Sequence, residues 1–155
     1  MDVVSECKAG SGEKNGTRFS ACLLFSANAL ARAITAIGDE EFGRVGLSYS
    51  HAYLLSEVIN QPGITPSALS DTLYLTPSTI TRLVEKLEQK QLVRRESEGK
   101  KTLILPTTAG EALQSDINDA WNRVGQRYAA AIGETNVCQL TKQVFQAAKS
   151  LTGDE

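Results

Sequence analysis

The sequence predicts a mainly α-helical domain that carries one small β-hairpin. Apolar residues recur at helical spacing along most of its 155 residues. The pairs Thr65-Pro66 and Thr76-Pro77 mark two consecutive helix starts, because threonine can cap the free N–H groups of a first turn and proline there loses no hydrogen bond. Between Leu92 and Leu105 the pattern changes to two short strand-like runs around a polar segment, which is typical of a hairpin.

Length and composition narrow the class of protein. A chain of 155 residues is expected to form one domain, and such a domain buries roughly 70% of its extended-chain surface without a metal or a disulfide. No apolar run reaches the ~18 residues of a membrane span, and the N-terminus lacks a signal peptide, so we expect a cytoplasmic protein without membrane contact. The three cysteines are an odd number placed far apart, which indicates reduced thiols and not a disulfide framework. With a single histidine in the chain we expect no zinc site, and no cofactor is expected.

The first part of the chain predicts a tail and two helices. Residues 1–16 are rich in glycine, serine and lysine, which predicts a disordered tail. From Thr17 an apolar stripe predicts a long helix that needs a packing partner. After a glycine turn, Ser48 or Ser50 can cap a second helix that ends at Gln61-Pro62-Gly63. The stripe of the first helix consists of Phe19, Leu23, Ser26, Leu30, Ala33 and Ile37.

The middle of the chain predicts a helix-turn-helix. A short helix from Thr65 to near Tyr74 is followed by a tight turn and a longer helix over Thr76–Lys90. In this longer helix one stripe is apolar, and the opposite face begins with hydroxyl groups and Arg82. Such side chains at the front of a helix can reach base edges and phosphates in a DNA major groove. The apolar stripe consists of Ile80, Leu83, Val84 and Leu87.

A basic hairpin and two further helices complete the prediction. The strands Leu92–Glu96 and Lys101–Leu105 enclose a short polar tip. Residues 82–101 hold seven Lys or Arg against four Glu, although the whole chain has a net charge of −2, so a basic stripe lies on an acidic body. Thr107 can cap the first of two C-terminal helices, which are separated at Gly133 and whose Trp121 and Tyr128 we interpret as dimer core.

Four segments in this order resemble the landmarks of the MarR (multiple antibiotic resistance regulator) family. They are Gly46-Leu47-Ser48-Tyr49-Ser50-His51, Ser78 to Glu88, Leu92-Val93-Arg94-Arg95, and Leu105-Pro106-Thr107-Thr108-Ala109-Gly110. The resemblance covers roughly Thr17 to Leu151. It implies a winged helix-turn-helix lobe over residues 48–106, flanked by N- and C-terminal dimerisation helices over 17–47 and 107–151. It further implies a homodimeric regulator, usually a repressor, that binds double-stranded DNA at a near-palindromic operator.

The resemblance and the residue types together predict a DNA-binding set. Two departures from the family pattern qualify it. Gln91 replaces the glycine that usually ends the recognition helix, and Lys100-Lys101 replaces an Asp-x-Arg pair of the wing, which predicts weak sequence readout there. The predicted set consists of Thr65, Thr76, Ser78, Thr79, Thr81, Arg82, Lys86, Arg94, Arg95, Lys100 and Lys101.

Two mechanisms of regulation are compatible with the sequence. Cys22 resembles in position the reactive cysteine of the peroxide-sensing branch of the family, with Tyr49 as its hydrogen-bond partner and Cys7 or Cys138 as resolving thiols. The second tyrosine of that branch is absent around Ala36 to Gly38, which favours an inert core cysteine. The alternative is a small aromatic ligand bound near Phe25, Ala29, Tyr49 and Tyr53. The sequence does not choose between ligand, oxidant and no effector.

The sequence also bears on two functional classes outside transcription. Catalysis is not expected, because the chain has one histidine, no glycine-rich phosphate loop and no nucleophile motif. The alternative is a winged-helix adaptor that binds proteins and not DNA, because a chain with a net negative charge is not typical of DNA-binding proteins.

Overall fold

The computed structural model describes residues 17–153 as seven helices and one two-stranded sheet. The tail predicted for residues 1–16, with Cys7, lies outside the described residues. The elements are α1 Leu23–Gly43, α2 Tyr49–Asn60, α3 Pro66–Leu73, α4 Pro77–Gln89, β1 Val93–Glu98, β2 Lys101–Pro106, α5 Thr108–Ala112, α6 Gln114–Ile132 and α7 Glu134–Thr152. The mainly helical fold with a small β-wing is therefore confirmed.

The first helix begins later than its apolar stripe suggested. The helix predicted from Thr17 starts at Leu23, because the preceding residues form a turn in which Ser20 N donates to Thr17 O at 3.0 Å and Cys22 N donates to Phe19 O at 2.9 Å. The ring of Phe19 packs on that of Phe25 with centroids 5.7 Å apart. Phe19 therefore continues the apolar surface of α1 without being helical.

Hydroxyl caps set the start of each helix in the helix-turn-helix region. Ser48 caps α2 by accepting a hydrogen bond from His51 N, which decides between the two serines that the sequence offered. Thr65 and Thr76 cap α3 and α4 in the same way, and a proline follows each of them in the first turn. These caps satisfy N–H groups that have no partner within the helix.

The core of the winged lobe encloses the apolar stripe of α4. Ile80, Val84 and Leu87 are almost completely buried, and they belong to the same cluster as Leu54 and Leu69 of α2 and α3. Since a helix turns about 100° per residue, burial of this stripe directs the opposite side of α4 to solvent.

The wing is an antiparallel hairpin whose base is attached to the helices. Its strands pair from Val93 opposite Pro106 to Glu98 opposite Lys101, which leaves Gly99-Lys100 as a two-residue turn with Gly99 at φ 61. An isolated bridge joins Ile104 of β2 to Ile64, with a 2.9 Å hydrogen bond from Ile104 N to Ile64 O. This bridge fixes the wing against the segment that leads into α3.

A close backbone approach connects the end of α4 to α5. The carbonyl oxygen of Leu92 accepts from Thr107 N at 3.1 Å. A Cβ atom added to Gly110 would lie 2.1 Å from that same oxygen, so only glycine fits at this position. The Thr107 to Gly110 motif of the sequence is thereby explained, since Thr107 also caps α5 through a 3.0 Å bond from Gly110 N.

A buried carboxylate joins α1 to α6. Glu41 is 3% exposed and accepts from Arg123 Nε at 2.9 Å and from Arg127 at 3.0 Å, while Arg44 lies 3.1 Å away. Burial alone would raise the pKa of Glu41, but the hydrogen bonds from Arg123 and Arg127 and the charge of Arg44 lower it below the usual glutamate range. The carboxylate is therefore ionised and fully partnered at neutral pH.

The last helix leaves an apolar face without cover in a single chain. No residue of α7 is buried, and Val144, Phe145 and Leu151 are 48%, 54% and 79% exposed. This face borders a cavity of ≈ 620 Å³ that is lined mainly by apolar residues of α1, α6 and α7.

Helix α4 ends in a left-handed turn that a glutamine has to adopt. Gln91 has φ 59, while Gln91 N donates to Glu88 O at 2.8 Å and Leu92 N donates to Leu87 O at 2.9 Å. This is the hydrogen-bond pattern of a Schellman motif, in which glycine is the preferred left-handed residue.

We predict that Gln91→Gly raises the free energy of unfolding by about 1 kcal/mol, because it removes the steric cost of a left-handed side-chain residue. Gln89→Gly, two positions earlier and inside the helix, should lower it by about 1 kcal/mol. Urea unfolding of both variants measures these values. Equal effects of the two changes would contradict the assigned helix end.

Candidate nucleic-acid interface

The first turn of α4 presents a cluster of hydroxyl groups. The Oγ1 atom of Thr76 lies 3.1 Å from Ser78 Oγ and 2.9 Å from Thr79 Oγ1, and it accepts from Thr79 N at 3.3 Å. Thr81 donates to the carbonyl of Pro77 at 3.0 Å. These short side chains are held by bonds to their own helix end. The cluster therefore offers preorganised donors and acceptors to a groove.

Two cations extend this surface along α4. Arg82 and Lys86 are exposed on the side opposite the buried stripe. Among the described residues, neither makes an ion pair within 4.0 Å. An arginine without a carboxylate partner keeps its planar donors available for a guanine edge or a phosphate.

The two arginines of β1 differ in their partners. Arg95 Nε lies 3.3 Å from Glu88 Oε2 of α4 and so ties the wing to the recognition helix. Arg94 pairs with Glu96 of its own strand, and both of these side chains are 50% exposed. Arg95 therefore makes the ion pair within the lobe. The Arg94–Glu96 pair is exposed to solvent, so Arg94 can leave Glu96 and bind a phosphate instead.

The wing tip is small and basic. Lys100 occupies the two-residue turn and Lys101 begins β2, and both are exposed. Thr65, in contrast, is half-buried and uses its hydroxyl to accept from Ala68 N at 3.3 Å. The predicted DNA-binding residues therefore divide into α4, the wing, and one cap of α3.

Two clefts flank α4. The smaller, of ≈ 200 Å³, lies between α4 and the wing and includes Thr81, Arg95 and Thr102. The larger, of ≈ 580 Å³, lies between the outward face of α4 and the first turn of α2, where it includes His51, Arg82 and Lys86. His51 is not in the predicted DNA-binding set, and its place beside α4 follows from the packing of α2.

The residues predicted for regulation lie in two separate places of one chain. Cys22 is the exposed residue before α1, and Phe25 lies in the first turns. Tyr49 packs against Gly38, 16 positions beyond Cys22, which is about 24 Å along the helix. A contact between Cys22 and Tyr49 therefore requires a second copy of the chain.

Tyr53 belongs to an aromatic group at the apolar cavity. Its ring lies 4.5 Å from that of Trp121 and 6.3 Å from that of Tyr49. Burial, followed by the effect of Tyr49, raises the pKa of Tyr53, so its phenol is neutral at physiological pH. Ala29 and Phe25 are not among the residues that line this cavity.

Residues 17–153 contain neither a candidate metal site nor a helix that could span a membrane. This range contains no group of three or more His, Cys, Asp or Glu residues that could hold a metal ion. None of its helices is both long and apolar enough to cross a membrane.

Comparison with known proteins identifies relatives of this fold. A sequence model described as MarR family matches residues 45–101, which span α2 to the wing tip. No curated protein matches the sequence. Solved structures match over most of the chain, and many of them are MarR-type transcriptional regulators.

Three of these structures show what the fold is similar to. CouR from Rhodococcus jostii RHA1 bound to p-coumaroyl-CoA is 24% identical with a TM-score of 0.72, and the match covers 86% of this chain and 96% of CouR. The MepR–DNA complex of S. aureus is 17% identical with a TM-score of 0.71, covering 83% and 97%. PcaV from Streptomyces coelicolor with its natural ligand is 15% identical with a TM-score of 0.76, covering 88% and 99%.

For the wing we predict a contribution to affinity that is independent of sequence. Lys100→Ala/Lys101→Ala should weaken binding to all duplexes by a similar factor and reduce the slope of log K against log salt by about 1 to 2, because lysines at a phosphate act by counterion release. Fluorescence anisotropy over a salt series, with a specific and an unrelated duplex, measures this. A loss confined to one operator position would contradict it.

Proposed function

We propose that this chain, a winged helix protein of the MarR family, is a homodimeric transcriptional regulator that binds operator DNA through α4 and the wing and acts as a repressor. The observation that carries the proposal is the exposed face of α4. It combines the hydroxyl cluster of its first turn with Arg82, which has no ion-pair partner among the described residues, and it lies opposite a fully buried stripe. The structure of MepR with DNA supports this assignment, since that protein shares the fold.

The uncovered face of α7 supports the homodimer. The cavity between α1, α6 and α7 is bordered by large apolar side chains such as Ile34, Ile132 and Phe145, which are 40%, 44% and 54% exposed. Apolar surface of this kind is costly in water, and a second copy of the same helices is the cover that is always present. Two copies would also supply two recognition helices for the two half-sites of a palindromic operator.

Release by a small aromatic ligand is the form of regulation that the structure supports better. Tyr53, Trp121 and Tyr128 face the same cavity, and such rings bind aromatic ligands by stacking. CouR and PcaV, which share the fold, bind p-coumaroyl-CoA and a natural ligand respectively. Oxidation at Cys22 remains the alternative, and it depends on a partner copy to place a tyrosine beside the thiol.

The dimer predicts opposite outcomes for two lysines introduced at neighbouring positions of α7. Val144→Lys places a charge in the apolar cavity and should convert the dimer to monomers, with loss of high-affinity DNA binding. Gln146→Lys adds the same charge at an exposed position outside that cavity and should leave both properties unchanged. Light scattering after gel filtration gives the mass. A Val144→Lys variant that is still dimeric would exclude this interface.

The decisive experiment is binding of the protein to its own promoter DNA. Arg82→Ala should cost roughly 1–3 kcal/mol of binding free energy, or about 5-fold to 150-fold in affinity, if the guanidinium reads a base edge. Arg82→Lys should keep the affinity for unrelated DNA but lose discrimination, because lysine lacks the planar fork. Lys142→Ala, which removes a cation from α7, is the matched control and should bind normally.

Three other outcomes of this experiment are informative. Binding that is weak and equal for all sequences, with no effect of Arg82→Ala, would exclude the regulator and favour the protein adaptor. Peroxide that releases the wild type but not Cys22→Ser would establish oxidation and exclude regulation by ligand alone. Release by a hydroxycinnamate with no effect of peroxide would support the ligand mechanism.

A further inference from the structure

The larger cleft beside α4 shares cations with the proposed DNA-binding face and holds more positive than negative charge. It lies between the first turn of α2 and the α4 residues Thr79, Arg82 and Lys86, and its volume is ≈ 580 Å³. Its only acidic lining residue among the described ones is Glu85. No ion pair within 4.0 Å involves Arg82, Glu85 or Lys86 in the part of the chain described. The cleft is open to solvent and large enough for a phosphodiester group.

His51 forms the opposite wall of this cleft. Its Nδ1 atom lies 2.6 Å from Ser48 Oγ, the same oxygen that accepts from His51 N at 3.4 Å. A serine hydroxyl can donate to a neutral imidazole or accept from a protonated one, so this contact is compatible with both charge states. With Nδ1 engaged by Ser48, the Nε2 atom is left for a partner in the cleft.

The surroundings of His51 keep it neutral in the free protein. Partial burial is the largest cause, followed by the charges of Lys90 and Lys86, and together they lower its pKa below the usual histidine range. The other charged groups on this side are Arg82 and Glu85 of α4, which line the same cleft. From α1, Asp39 accepts from the neighbouring Tyr49 N at 3.3 Å.

We propose that this cleft receives a phosphate of the DNA backbone and that His51 takes up a proton when it does, so that operator affinity increases as the pH falls. The proposal rests on the proposed DNA-binding function and adds a contact from α2 and a proton to it. A phosphodiester is the fitting anion because it carries a full negative charge at every pH near neutrality. It would offset the charges of Lys90 and Lys86, which after burial are the causes that disfavour the imidazolium.

The sign of the effect follows from linkage. The pKa of His51 is low in the free protein, and a phosphate in contact raises it, so the complex binds one more proton per chain between the two pKa values. Between the two pKa values, log Kd rises by at most about 1 for each pH unit and for each chain of the proposed dimer. Above the pKa of the complex and below that of the free protein, His51 gives the affinity no pH dependence.

The chain contains a single histidine, which allows this proton to be assigned without ambiguity. In the full-length protein, the imidazole C2–H signal in the proton NMR spectrum titrates with the pKa of His51 alone. We expect this pKa to rise by roughly 1 when a duplex of the promoter is bound at low salt. An unrelated duplex at saturation should produce the same rise, because a phosphate contact carries no sequence information.

Binding measurements provide the second readout. Wild-type Kd, measured by anisotropy from pH 5.5 to 7.5, should increase with pH, and His51→Gln should remove this dependence while keeping a neutral donor at the same place. Ser50→Ala, next to His51 and also half-buried, is the matched control and should retain the wild-type slope. Circular dichroism of each variant confirms the helical fold.

The outcomes separate this proposal from the function on which it rests. DNA binding with an unchanged His51 pKa and a pH-independent Kd would overturn the His51 contact and leave the regulator intact. Absence of DNA binding at any pH would overturn both. An equal rise of the pKa with inorganic phosphate alone, at millimolar concentration, would make the cleft a general anion site and overturn its assignment to the DNA backbone.

Discussion

Burial of one stripe of α4 is the interaction on which the rest of the winged lobe depends. Ile80, Val84 and Leu87 fill its core, and this fixes the rotation of the helix and hence the side that faces a groove. The chain leaves α4 through the left-handed Gln91, and the carbonyl of Leu92 then closes on α5 with no room for a Cβ at Gly110. The C-terminal end of α4 is therefore fixed by backbone geometry as well as by packing.

Helix α2 connects this lobe to the frame formed by α1 and α6. The frame is held by Glu41, a buried carboxylate whose three arginine partners compensate the cost of taking its charge out of water. Tyr53 in the middle of α2 contacts Trp121 of α6, while His51 in the first turn of α2 borders the cleft of α4. Helix α2 thus contacts the proposed dimer and ligand surface and also borders the proposed DNA surface. A movement of α1 and α6 can therefore be transmitted to α4 through α2.

The distribution of charge explains how an acidic chain can act on a polyanion. Carboxylates on α1 and α4 engage arginines in pairs, as Glu41 and Glu88 do, and these pairs contribute little field at a distance. Among the described cations that lack such partners, Arg82 and Lys86 lie together on α4, and Lys100 and Lys101 lie at the wing tip. The local field, and not the net charge of −2, is what a duplex meets.

The sequence by itself predicted most of the helices, the caps Thr65, Thr76 and Thr107, and the hairpin, but not the start of α1 at Leu23 or the separation of α5 from α6. Signals such as Thr65-Pro66, Thr76-Pro77 and the apolar stripe of α4 act within one or two turns, so they can be recognised in the sequence without knowledge of the tertiary structure. It also placed the polar face of α4, whose function as a DNA surface remains a prediction. Only the tertiary structure decided that Arg95 pairs with Glu88, that Glu41 is buried among arginines, and that His51 faces Lys86 across a cleft. These pairs come from different elements, and their distances depend on how the helices pack, which no local pattern encodes.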